Sequence, residues 1–130
     1  METLIKYTAV GSLEGCKIIA SYALEESFKD SIKKEVNNLL SNNHKGEWVT
    51  KNPSPYGIWF IQSDSIGLAY IVLVKNDYSD RLVVSLLSYL KDLFTNQKPE
   101  NLKNSSSESY TSIMANDMRK IYEKYNDTNS

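Results

Sequence analysis

From Leu4 to Val10 apolar and polar residues alternate, with Ile5, Tyr7 and Ala9 on one face, which is the period-two pattern of a β-strand. Gly11-Ser12-Leu13-Glu14-Gly15 supplies turn chemistry, and Cys16 to Tyr22 follows as a second strand, so the two predict an N-terminal β-hairpin. The period then changes. Phe28, Ile32, Val36, Leu39 and Leu40 fall on one stripe of an amphipathic helix. Ser27, with Asp30 three residues on, resembles a capping arrangement at its start, and the polar run Ser41-Asn42-Asn43 ends it.

Three more strand signals follow. Glu47 to Thr50 is short and carries Trp48-Val49; Pro53-Ser54-Pro55 is expected to separate it from Gly57 to Gln62, because proline cannot donate to a ladder. Ser63-Asp64-Ser65 marks a hairpin turn before Gly67 to Lys75, the most apolar strand, whose continuous pattern predicts a central place in the sheet. Asn76-Asp77-Tyr78-Ser79 reads as a turn, with Ser79 placed to cap a second helix whose stripe is Leu82, Val83, Leu86, Leu87, Leu90, Leu93 and Phe94. Gln97 to Ser109 is polar and loop-like, and Tyr110, Ile113, Met114, Met118, Ile121, Tyr122 and Tyr125 outline a third helix. There is no internal repeat. One domain is expected over residues 1–126, with 127–130 a flexible tail.

Composition agrees with a globular domain: of 130 residues, 41% are hydrophobic and 24% charged, enough for a core without metals or disulfides. Fifteen basic against sixteen acidic residues leave a formal charge of −1, which offers neither the basic stripe nucleic acid requires nor a polybasic membrane patch. Lys29, Lys33 and Lys34 are interrupted by Asp30 and Glu35 and fit a solvated helix face. The start Met1-Glu2-Thr3 has no signal-peptide pattern, and the longest strongly apolar run, Gly67 to Val74, is too short to span a bilayer. Lipidation motifs are lacking at both ends. The expectation is a soluble, cytoplasmic chain that meets membranes only indirectly, or through a C-terminal anchor missing from this sequence.

Catalysis needs converging reactive groups, and the inventory is thin. His44 lies in a polar loop, and Cys16, the lone cysteine, has nothing adjacent to lower its pKa. One cysteine and one histidine cannot close a structural zinc site. Glu25-Glu26 and Asp77 with Asp80 sit near helix starts, where the helix dipole accounts for them. The glycine-containing turn lacks the Lys-Ser/Thr ending of a phosphate loop. The nine tyrosines and two tryptophans are not interleaved with basic residues, so core packing and a protein-binding patch explain them better than stacking on single strands. No enzyme activity, cofactor or metal is expected.

The order of elements (two strands, helix, three strands, two helices) resembles the longin fold, a profilin-like arrangement found at the N-terminus of long vesicle SNAREs and, in related form, in tethering and adaptor subunits. The resemblance covers about residues 4–125, and its most specific piece is Ala69-Tyr70-Ile71-Val72-Leu73-Val74-Lys75-Asn76-Asp77-Tyr78-Ser79, then Arg81 and the Leu86-Leu87, Leu90, Phe94 stripe. Ser79 stands where many relatives have proline, and no SNARE-type heptads precede Ser130.

The resemblance implies an α+β domain with a five-stranded antiparallel sheet in the order second, first, fifth, fourth, third. It also implies one helix on one face and two on the other. It further implies a regulatory, non-catalytic protein-interaction domain of vesicle-mediated trafficking on the cytosolic face of endomembranes. The partner would be a SNARE motif, its own or another's, or subunits of a trafficking complex. The third strand would then be an open edge beside the first helix, with Ile32, Val36, Leu39, Trp48 and Val49 lining a partner groove. The alternatives are core packing of the same residues, a free-standing tethering or adaptor subunit, and a small-molecule sensor. Bulky Trp59, Phe60 and Tyr70 leave a sensor little internal space.

Overall fold

The strand that organises the molecule is the one with seven consecutive buried residues, Leu68–Val74. A strand buried on both faces needs a neighbour on each edge and packing above and below, and this one has all four. The structure, a computed structural model, describes residues 5–13, 17–22, 29–42, 49–63, 67–95 and 111–126. In chain order the elements are β1 (Ile5–Ser12), β2 (Lys17–Tyr22), α1 (Lys29–Asn42), β3 (Val49–Ser54), β4 (Gly57–Ser63), β5 (Leu68–Val74), α2 (Asp80–Thr95) and α3 (Thr111–Asn126). Every strand pair is antiparallel, and the sheet runs β2-β1-β5-β4-β3, so the chain is α+β with the expected strand order and β5 at the centre.

Alternation along β5 divides the core in two. Leu68, Tyr70, Val72 and Val74 join one cluster with Val83, Leu86, Leu87, Leu90 and Phe94 of α2 and Met118, Ile121, Tyr122 and Tyr125 of α3. Ala69, Ile71 and Leu73 join a second with Ile32 and Val36 of α1. Of the expected stripes, these residues are buried and Leu39, Leu82 and Leu93 are partly buried, while Phe28, Tyr110 and the side chains of Leu40, Ile113 and Met114 lie outside what is described.

Two β-bulges correct the simple alternation expected of the N-terminal hairpin. Ile5 pairs with Val74 and Tyr7 with Leu73, which leaves Lys6 as an extra residue. Ile5 therefore enters the first cluster while Tyr7 and Ala9 enter the second, and the three do not share a face. In β2 the register passes from Ala20 opposite Val10 to Ile18 opposite Gly11, so Ile19 is the extra residue. Consecutive Ile19 and Ala20 both reach the first cluster as a result. Gly11 and Ser12 belong to β1, not to the turn expected there, because β2 and β5 pair with them from both sides.

The prolines were expected to end the third strand early, yet β3 runs through Pro53 to Ser54. β3 is the outermost strand, and an N–H on a free sheet edge has no ladder partner to lose, so proline is tolerated there. β3 and β4 close as a tight hairpin around Pro55 and Tyr56, with Ser54 opposite Gly57. Gly57 has φ +147°, and a Cβ built on it would lie 2.3 Å from the Val74 carbonyl oxygen, so only glycine fits this approach to β5.

The turn after β5 is where the sequence places it. The Tyr78 N–H donates to the Lys75 carbonyl at 3.0 Å, and the Val83 N–H to that of Ser79 at 3.1 Å, which puts Ser79 at the head of α2. The Tyr78 hydroxyl donates to the Tyr125 carbonyl at 2.5 Å near the end of α3, and Ser85 Oγ and Tyr125 Oη are 2.9 Å apart. The aromatic residue of the turn therefore ties the last helix to the β5–α2 connection. No helix among the described residues is long and apolar enough to cross a membrane.

Candidate interaction surface

Of the residues expected to line a groove, three lie in or against the second core cluster. Ile32 and Val36 are 3% and 0% exposed and pack into the second cluster, which draws on β1, β2, β4 and β5. Leu39, one turn on, is half-buried at the margin of that cluster. Val49 opens β3 and pairs with Gln62 of β4. Lys51 extends toward α2, with its ammonium 3.4 Å from Asp80 and 5.5 Å from the Phe60 ring centroid, so that side of β3 belongs to the first cluster and not to α1. Trp48 lies outside the described residues, as do His44, Cys16 and Glu25-Glu26.

What the structure does bring together beside α1 is a polar seam built from three distant segments. Trp59 is buried in β4 and stacks edge-on against Tyr7 of β1, with ring centroids 6.0 Å apart at 79°. Its indole Nε1 donates to Glu35 Oε1 on α1 at 3.3 Å. Ser54 Oγ, at the end of β3, donates to the same oxygen at 2.7 Å and accepts from the Tyr56 N–H at 3.2 Å. Lys6, the bulged residue of β1, donates to the Tyr56 carbonyl at 2.5 Å. Thus the β3–β4 hairpin is held to α1 through Glu35 and to β1 through Lys6. Glu35 Oε2 and Asn52 Nδ2 are buried with no hydrogen-bond partner, so the seam carries unused acceptor and donor capacity next to the sheet edge.

Sequence patterning did not single out this seam. Glu35 reads as one more charge on a solvated helix face, Ser54 as part of a proline turn, and Trp59 as a core filler; nothing in their spacing links them.

No group of three His, Cys, Asp or Glu side chains that could hold a metal ion occurs among the described residues. Among the described residues Tyr78 has a strongly displaced ionisation: burial and then the neighbouring Tyr125 push the phenol up to about 12. Such a group stays neutral and acts as a hydrogen-bond donor. The sequence matches no protein-family model, and no curated protein matches it.

Proposed function

We propose that this chain is a longin-type domain, a non-catalytic protein-interaction and regulatory module of vesicle-mediated membrane trafficking, like the N-terminal head of a long vesicle SNARE. The observation that carries this reading is the β2-β1-β5-β4-β3 sheet with α1 in one core cluster and α2 and α3 in the other, one helix against two. Among the described residues that arrangement leaves β3 with a single neighbour, so one row of its backbone N–H and C=O groups can take an added strand.

The docking surface is the β3 edge with the adjoining margin of α1. Leu39 supplies its apolar contact, and the Glu35–Ser54–Trp59 seam fixes the spacing of helix and hairpin. Ile32 and Val36 serve as the packing that holds α1 in place. The occupant is a SNARE motif, from the same protein or from a partner, and the working location is the cytosolic face of endomembranes.

Calorimetric titration with isolated SNARE-motif helices tests the reading. Micromolar or tighter binding is expected for at least one motif, weakened at least about tenfold by Leu39→Asp, which places a charge where the groove needs an apolar contact. Absence of binding to every motif, or equal affinity in the variant, contradicts it.

A further inference from the structure

Ser54-Pro55 is the only place in the chain where a serine or threonine precedes proline. It sits at the tip of the β3–β4 hairpin, between exposed Pro53 and exposed Pro55, on a strand with one neighbour among the described residues. We infer that Ser54 is a phosphorylation site for a proline-directed protein kinase, and that its phosphate releases α1 from the hairpin. The inference goes beyond the trafficking proposal and does not depend on it.

A proline after the acceptor leaves no backbone N–H to satisfy in an apolar pocket of the enzyme, and this is the feature such kinases select. In the transfer, Ser54 Oγ attacks the γ-phosphorus of ATP. The Oγ–P bond forms, the bond between γ-phosphorus and the β-bridging oxygen breaks, ADP leaves, and the hydroxyl proton passes to the kinase's base.

The consequence follows from what the hydroxyl touches. Before transfer Ser54 Oγ–H is a donor 2.7 Å from the Glu35 carboxylate. Afterwards the donor is gone, and a group carrying about −1.5 to −2 charges stands against a carboxylate that the Trp59 indole holds in place from β4. Like charges at that separation repel, and the contact joining α1 to the hairpin turns from attractive to repulsive. Lys6 already brings a cation to the same turn through the Tyr56 carbonyl, so the phosphate has a new partner on β1. The hairpin tip changes allegiance from α1 to β1, while β4 and β5 keep their pairing.

The test is phosphorylation of the purified, folded chain by a proline-directed kinase with ATP, read by intact-mass and fragment-mass spectrometry and then by amide hydrogen exchange. One phosphoryl group on Ser54 is expected, and none in Ser54→Ala. Exchange in α1 should quicken by about tenfold or more while β5 and α2 stay protected. Glu35→Gln keeps an acceptor for Trp59 without the charge, so its phosphorylated form should show a much smaller change in α1. Modification of the denatured chain alone, unchanged α1 exchange after modification, or equal loosening in Glu35→Gln would each overturn the inference.

Discussion

Gly57 and Tyr78 show how much single positions carry. At Gly57 the main chain passes so close to the Val74 carbonyl that a Cβ would sit 2.3 Å from it, at a positive φ. Gly57→Ala must therefore push β4 away from β5 or change the hairpin, and a loss of at least about 1–3 kcal/mol is expected in urea denaturation. Tyr78 closes the β5–α2 turn onto the Tyr125 carbonyl. Tyr78→Phe removes that donor and should lower stability by about 1 kcal/mol near neutral pH. Its ionisation adds a second signature. The folded-state pKa, about 12, lies above the ordinary tyrosine value of 10.0, because burial disfavours the phenolate. The stability this group contributes is complete below pH 10 and is lost as pH climbs toward 12. Denaturation profiles across that window should therefore fall more steeply for the native chain than for Tyr78→Phe. Parallel profiles would show that the phenol is not buried as described.

At the scale of elements, what was legible in the sequence was whatever a periodic pattern records. β5 declares itself central because every residue from Leu68 to Val74 is apolar, and α2 because its stripe repeats over 16 residues. Two features escaped for reasons that are also physical. A bulge shifts the face of every later residue yet leaves no mark on composition, so the opposite orientations of Ile5 and Tyr7 were hidden. The effect of Pro53 depends on whether its strand is central or at the edge, and strand order is a property of the whole sheet. The Glu35–Ser54–Trp59 seam joins positions up to 24 residues apart, so only the folded chain assembles it. Its companion contact is apolar: among the described residues Ile32 and Val36 are the buried side chains of α1. Ile32→Ala should cost roughly 2–5 kcal/mol. Native-state hydrogen exchange should show α1 opening before α2, since fewer buried side chains hold it among the described residues. Equal protection of the two helices would contradict that ranking.

Across the whole molecule the two core clusters give the sheet unequal faces. Among the described residues the first, with two helices, is the larger; the second includes α1 and the Tyr7–Trp59 pair. Binding sites tend to draw on the less firmly held part of a structure, because ordering or shifting it costs little. Among the described residues that part is α1, with the fewer buried side chains, and β3, with a single neighbour. The most direct measurement of the proposed role is therefore chemical-shift mapping of the isotopically labelled domain during titration with a SNARE-motif helix. The account predicts saturable shifts confined to the β3 edge, the Leu39 end of α1 and the Trp59 indole N–H. Shifts centred on β2 and α3, or none at saturating peptide, would contradict it.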